Sequence, residues 1–400
     1  TMKVNAVLTN NTSFLRESAL SAQTSPIQTS LSKPPILNPY QYNEDGQRLD
    51  KLDQVDELGT SNPLAVVDNF QGENKTTRFM GSIKSEATLA PTTKWTTLFG
   101  LNVNSMKESV FMPNQGMALY YDNEVHNVAQ SYDNQIFSFY TDNYLTWNKQ
   151  ISSLHQVNAS IGFRIHTNSL ESDMEEARNL PENDQYSNLQ SGQYDLAKIS
   201  GRNAKWNWLS LYNQISYKYM DRYILNTSLS ADFSSLTGDK AQTAFNAMGL
   251  PFGLFYSIGA GWRVSEESFL RDADGLDNLM LRASYGVSGN DDIGTLNALN
   301  YYHLSRYRET SGVIPELASN TSLKYEKIHQ LNAGLDISLW GSRTRFSVDY
   351  FIEHTRDMFI YKPQKAYTGI AYRPVNAGGV QNIGVELSYY QKIIDNDKFN

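Results

Sequence analysis

No cysteine occurs among the 400 residues, so neither a disulfide framework nor a thiolate metal site is available to this chain. A cysteine-free chain is compatible with an oxidising periplasmic route. No apolar run approaches the ~18 residues of a transmembrane helix, which excludes a helical membrane protein but not a barrel, whose strands alternate apolar and polar. Positive charge is in the minority, with 34 Lys and Arg against 42 Asp and Glu and a formal net charge of −8. That balance argues against a nucleic-acid partner, because phosphate binding needs a basic face. Catalytic signatures are missing too: there is no G-x-S-x-G, no P-loop and no dinucleotide fingerprint. His126, His155, His166, His303, His329 and His354 lack metal-ligand spacing. No enzyme, metal or cofactor is therefore expected. The acidic runs Glu44–Asp45, Asp50–Glu57 and Asp173–Glu176 fit no EF-hand and read as solvated loop charges.

Aromatic residues, by contrast, are plentiful: 25 Tyr, 17 Phe and 6 Trp weight the composition towards strand formers. The strongest pattern is alternation with period two. Phe79, Gly81, Ile83, Ser85, Ala87 and Leu89 oppose Arg78, Ser82, Lys84 and Glu86. Val157, Ala159, Ile161, Phe163 and Ile165 oppose Gln156, Asn158, Ser160 and Arg164. The same alternation recurs in Tyr223–Phe233, Leu254–Val264, Leu279–Val287, Leu331–Leu339, Phe346–Ile352 and Val385–Tyr389. About twelve strands result, many of ~10–14 residues, longer than a globular strand and long enough to cross a bilayer at a tilt. Thr1–Leu8 already alternates in this way, with no targeting segment before it, so the natural N-terminus is expected to lie upstream.

The connections alternate in length. Tight ones lie near Pro91–Thr93, Lys149–Ser153, Asp221–Arg222 and Gly341–Thr344; long ones run roughly over 10–76, 105–134, 168–205, 289–325 and 355–381. Because antiparallel strands reverse, this places tight turns at one end and long loops at the other, as in outer-membrane barrels with short periplasmic turns and long extracellular loops. Trp95, Trp147, Trp262, Trp340, Tyr217, Tyr219 and Tyr223 cluster towards the short-turn end, where an aromatic girdle would meet the membrane interface. The bland alternative is that these rings pin hairpin ends, as in any sheet. The polar faces carry small side chains such as Asn226, Ser228, Ser230 and Asp232, which implies a wet or plugged lumen and hence a wide barrel.

Several ordered stretches resemble the SusC/RagA family of TonB-dependent transporters from the Bacteroidetes. They are Gly253-Leu-Phe-Tyr-Ser-Ile-Gly-Ala-Gly-Trp-Arg-Val-Ser-Glu-Glu-Ser-Phe-Leu270, Leu281-Arg-Ala-Ser-Tyr-Gly-Val-Ser-Gly-Asn-Asp-Asp-Ile-Gly294, Gln330-Leu-Asn-Ala-Gly-Leu-Asp336 and Asn376-Ala-Gly-Gly-Val-Gln-Asn-Ile-Gly-Val-Glu-Leu387. Asn38-Pro-Tyr-Gln-Tyr-Asn-Glu-Asp-Gly46 and Asn62-Pro-Leu64 look like loop elements of the same family. Tyr256 departs from it where Pro is common, and Lys324-Tyr325 where a residue followed by Trp is common. The resemblance implies an all-β transmembrane antiparallel barrel of about 22 strands when complete. It implies a plug and TonB-interacting segment upstream of Thr1, further strands beyond Asn400, and a SusD-like surface lipoprotein as partner. Residues 1–400 then read as part of the barrel domain, a fragment embedded in outer-membrane lipid.

The implied activity is TonB-dependent import of an oligosaccharide or peptide. Tyr120, Tyr121, Tyr132, Tyr301, Tyr302 and Tyr307, in the long loops, are candidate substrate or partner contacts, since flat rings stack on sugars and peptides at low entropic cost. Packing of loop against loop is their equally weighted alternative. A passive porin, or a secreted soluble glycan-binding β-protein, would share much of the strand pattern. Ser265 is expected to cap a short helical turn ahead of Glu266 and Glu267.

Overall fold

The computed structural model describes residues 1–17, 22–56, 58–118, 125–181, 188–292, 294, 301–307, 310–317 and 319–394, with side chains left out for most of 301–318. Its first part comprises β1 (Met2–Leu15), α1 (Pro26–Ser32), β2 (Tyr40–Tyr42), β3 (Arg48–Leu52), α2 (Pro63–Asn69), β4 (Gln71–Ala90), β5 (Thr93–Met112), β6 (Val128–Ser152), β7 (His155–Ala177) and β8 (Lys198–Tyr219). Then follow β9 (Tyr223–Ser234), β10 (Phe245–Ala247), β11 (Leu250–Arg263), β12 (Leu276–Asn290), β13 (Tyr301–Tyr307), β14 (Thr310–Leu317), β15 (Glu326–Leu339), β16 (Thr344–Arg356), β17 (Phe359–Pro363), β18 (Tyr372–Asn376) and β19 (Gly379–Gln391).

One antiparallel meander organises the molecule, in the order β1-β4-β5-β6-β7-β8-β9-β11-β12-β15-β16-β19, with β10 paired to β11. Among the described residues β1 and β19 are the two ends of this path and do not pair with each other, so the sheet is open. Register fixes which residues share a face. Val4, Ile83, Phe99, Thr141, Ile165 and Leu209 are consecutive direct partners across six strands, so the apolar rows of all six lie on one side. The other side is polar and concave. It encloses a space of about 1280 Å³ lined by residues such as Asp142, Arg164, Tyr212, Asn226, Gln330 and Asn332.

The apolar band has a definite height. On β7 it runs from Val157 to Ile165, about 30 Å of strand, which at a tilt of ~40° is about 23 Å, close to the ~25 Å apolar belt of an outer-membrane barrel. Polar atoms that interrupt the band are satisfied within it. The Trp95 indole donates to Thr97 Oγ1 (2.9 Å), Thr97 donates to Asn143 Oδ1 (2.9 Å), and Asn143 Nδ2 donates to Thr141 Oγ1 (2.9 Å). Water cannot meet such groups on a lipid face, so neighbours must.

Above Ile165 the strands continue. β6, β7 and β8 contain 25, 23 and 22 residues, well beyond the expected ~10–14. The sequence intervals 105–134 and 168–205 are therefore about half ladder: the connections shrink to 113–127 and 178–197. The reason is physical. Thr167, Ser169, Glu171 and Asp173 on one face and Asn168 and Ser172 on the other are both polar, so hydropathy stops alternating while the backbone ladder goes on. Asp173–Glu176 thus sits in a strand and not a loop. Likewise 289–325 holds the β13–β14 hairpin and 355–381 the β17–β18 hairpin.

The densest burial lies beyond the band. Val66, Phe70, Val110, Met112, Met117, Val125 and Val128 form one cluster where α2 packs on the ends of β5 and β6. Its keystone is Asn62, fully buried, which accepts from Leu64 N (3.1 Å) and donates to Pro39 O (2.8 Å) and Asp53 O (3.0 Å). Pro63 opens the helix, where a missing N–H costs nothing. Asn62→Ala removes the helix cap and the side-chain donor to Asp53 O, while Pro39 O keeps the Asp53 N–H (2.9 Å), an expected local loss of about 1–2 kcal/mol. Limited proteolysis should then cut within 22–70 while the strand ladder stays protected.

Candidate functional site

The concave wall holds two side-chain clusters. The first spans β6, β7 and β8. Asp142, almost fully buried, accepts from Tyr212 Oη (2.7 Å), Arg164 Nη2 (3.0 Å) and Tyr140 Oη (3.2 Å). The Arg164 guanidinium carbon lies 5.4 Å from the Tyr212 ring centre and 5.7 Å from that of Tyr140. His166 meets Tyr140 edge-on at 6.0 Å and Trp208 at 5.4 Å between ring centres. The Trp208 indole donates to Ser234 Oγ (2.9 Å) and to Asp291 Oδ2. Gly162 makes room for this arrangement: a Cβ there would stand 2.9 Å from Tyr212 Cζ and 2.6 Å from Tyr144 Cβ. All of these rings and charges occupy inward positions, beginning at Asp142 and ending just above Ile165, the last apolar residue of the β7 band.

The second cluster bridges β12, β15 and β16. Arg282 donates from Nε to Asp336 Oδ2 (2.8 Å) and from Nη2 to Asp349 Oδ2 (2.7 Å), while Ser347 Oγ donates to Asp336 Oδ1 (2.7 Å). Gly334 lies beneath it, where a Cβ would stand 2.6 Å from both Arg282 Cζ and Asp349 Oδ1. One cation thus serves two carboxylates across three strands. This fixes strand packing and leaves the cluster with one net negative charge.

The short-turn end has its own anchor. Glu267 accepts from Tyr223 Oη (2.6 Å), the Trp262 indole (3.1 Å) and Arg222 Nη1 (3.3 Å). The expected cap is corrected here. The turn is a 3-10 helix over Val264–Glu266 preceded by Arg263, and Ser265 Oγ, buried, makes no hydrogen bond. Glu267 instead reaches back to the adjacent hairpin. The Tyr223 hydroxyl, followed by the Trp262 indole, holds the Glu267 carboxyl below its ordinary range, and this turn lies outside the spanning strands. Its contribution is present above the unfolded carboxylate pKa of about 4.3 and is lost as pH falls through the lowered value. Segment 264–275 is expected to lose hydrogen-exchange protection below about pH 4, and Glu267→Gln to abolish that dependence.

The other sequence candidates separate. Tyr219 and Tyr223 stack at 6.1 Å, Tyr223 pairs with Trp262, and Tyr217 bonds His155, so these rings form one continuous outward row. Trp95 and Trp147 lie on the same outward face of β5 and β6. Trp340 lies in the β15–β16 turn with positive φ, its N–H bonded to Gly275 O. Tyr132 is an inward residue of β6, not a loop residue, and shares its row with Tyr140. Tyr301, Tyr302 and Tyr307 lie on β13, within a hairpin separate from the main sheet. Tyr120 and Tyr121 lie outside the described residues. Tyr140, Asp142 and Tyr212 were not singled out by sequence, and Arg164, His166 and Trp208 were noted only singly, as a polar-face residue, a histidine without metal-ligand spacing and, with Trp206, an aromatic at the long-loop end; nothing joined the six. Their only signal is six bulky or charged residues on even positions of strands whose inner faces otherwise carry Ser, Asn and Gln.

An open-ended antiparallel meander with an apolar outer belt and a polar concave wall is the wall of a large outer-membrane β-barrel of the transporter type. The chain belongs to the TonB dependent receptor-like β-barrel family, whose model matches residues 20–400. It is 30% identical over 345 residues to the TonB-dependent receptor P39 of Formosa agariphila, covering 85% of this chain and 32% of that protein. With the TonB-dependent receptor SusC of Bacteroides thetaiotaomicron it shares 28% identity over 204 residues, 46% of this chain and 18% of that protein. The RagAB peptide transporter structure superposes with a TM-score of 0.79 at 22% identity, over 99% of this chain and 43% of that chain, which shows a common fold. The chain spans about a third of the length of the Formosa relatives it matches. Their family is one of outer-membrane receptors and transporters rather than enzymes.

Proposed function

We propose that the whole protein imports an oligosaccharide or peptide nutrient across the outer membrane, powered by TonB and working with a SusD-like surface lipoprotein. The observation that carries this reading is the two-faced wall: an apolar belt about 23 Å high outside and a hydroxyl- and amide-rich concavity inside, in a chain of the TonB-dependent receptor family. In this reading residues 1–400 belong to the barrel domain. The segments between β1 and β4, β5 and β6, β7 and β8, β12 and β15, and β16 and β19 lie on the extracellular side. The row Tyr217, Tyr219, Tyr223 and Trp262, with Trp95, Trp147 and Trp340, marks the periplasmic interface. Tyr120, Tyr121, Tyr132, Tyr301, Tyr302 and Tyr307 are the proposed contacts to substrate or the lipoprotein. The related RagAB structures are of a peptide importer, which keeps peptides among the cargo classes.

Uptake distinguishes this from a passive porin. In cells carrying the intact gene as sole transporter for its nutrient, uptake should stop when TonB is removed or the proton-motive force is dissipated. Undiminished uptake in either condition establishes the porin reading instead.

A further inference from the structure

We infer that the lumen wall carries a stacking site for a neutral pyranose-containing oligosaccharide, centred on Trp208 and flanked by His166, Tyr140, Tyr212 and Arg164; this rests on the import reading. Five observations converge. Trp208 is 37% exposed although its indole N–H is tied to Ser234 and Asp291, so an apolar ring face is held open to the lumen in one orientation. A pre-oriented ring binds a sugar's C–H face with little entropy left to lose.

Hydrogen-bonding capacity lies beside that face. The Arg164 side chain is 47% exposed and donates to Asp142 through one nitrogen, which leaves further N–H groups of its planar fork for the hydroxyl acceptors of a ligand. The same wall continues into Ser210, Gln214, Asn226 and Ser228, amides and hydroxyls that both donate and accept, as a polyol ligand requires.

Charge excludes acidic sugars. Arg164 is already neutralised by buried Asp142, and Asp232 lies on the same wall, so a sulfate or uronate there would meet a further carboxylate and, among the described residues lining this wall, no uncompensated cation.

Strand pairing argues against an extended peptide. β6, β7 and β8 are hydrogen-bonded on both sides through this region, so no edge is available for strand addition. Height fits as well. His166 directly follows Ile165, the last apolar residue of the β7 belt, so His166 and Trp208 stand at the upper edge of the belt, inside a wall that continues to Ala177.

The test uses the full-length transporter purified in detergent. Binding of neutral malto-, cello-, xylo- and mannohexaose, of a uronic hexasaccharide and of an alanine hexapeptide is followed by calorimetry and tryptophan fluorescence. At least one neutral hexaose should bind, the uronic sugar and the peptide should not, and Trp208→Ala should weaken binding about tenfold while Trp208→Phe stays within about threefold. Arg164→Gln, which keeps the fold through its amide, should also weaken the neutral sugar. Heat-modifiable migration confirms that each variant folds. Absence of binding by every neutral sugar, preference for the uronic sugar or peptide, or unchanged affinity in both Trp208→Ala and Arg164→Gln overturns the inference. The import reading is judged separately, by TonB-dependent uptake, and survives any of these results.

Discussion

Lysine in place of Ile161 is expected to cost about 2–4 kcal/mol of barrel stability, whereas lysine in place of Asn158 is expected to be tolerated. The two residues are three apart on β7 but on opposite faces. Ile161 belongs to the outward row Val157, Ala159, Ile161, Phe163 and Ile165 and is 60% exposed, that is, exposed to lipid. Asn158 lines the concavity, where an ammonium finds water and polar neighbours. A charge midway through the belt has no such recourse. Urea unfolding of the full-length protein in lipid should show the difference as a shift in midpoint for Ile161→Lys alone. Equal tolerance at both positions would mean that the apolar row meets water.

The second large effect is expected at Arg282. Arg282→Met removes the cation shared by Asp336 and Asp349 and leaves two carboxylates facing each other across adjacent strands. Loss of one partner from a fully buried pair costs ~3–5 kcal/mol; these side chains are a quarter to a third exposed, so solvent screens part of the penalty and about 2 kcal/mol is expected. The triple change Arg282→Met, Asp336→Asn and Asp349→Asn should recover most of it, because the repulsion goes with the charges. Stability measured across pH separates the contributions. Arg282→Met alone should gain stability as pH falls and its carboxylates protonate, and the triple variant should not.

The fold was legible where each strand had one wet and one dry face. Val157–Ile165 and Tyr223–Phe233 are readable because lipid and lumen impose opposite chemistry on alternate residues. Legibility ended where that contrast ends. Thr167–Ala177 and Ser105–Met112 pair as regularly as the belt below them, yet polar residues such as Thr167, Asn168, Glu171 and Ser172 occupy both faces and Val110, Phe111, Met112 and Ala177 pack into clusters beyond the belt, so the side chains carry no period. The wall clusters were hidden for a different reason. Tyr140, Arg164 and Trp208 come together through cross-strand register, Arg164 pairing with Asp142 and His166 with Trp208, and register is a long-range property that no local window contains. Asp291, which fixes Trp208, is 83 residues away in the chain. Glu267 was placed in the right turn but without its partners, because its reach to Tyr223 depends on how β9 and β11 align.

Cysteine scanning of β7 in the intact outer membrane tests the two-faced wall most directly, and the native absence of cysteine removes all background. Single changes from Val157→Cys through Ile165→Cys are made in turn and exposed to a water-soluble maleimide. A wall with lipid outside and water inside predicts period-two labelling, strong at Asn158, Ser160 and Arg164 and weak at Val157, Ala159, Ile161, Phe163 and Ile165. Uniform labelling along the strand, or labelling in the opposite phase, would contradict it.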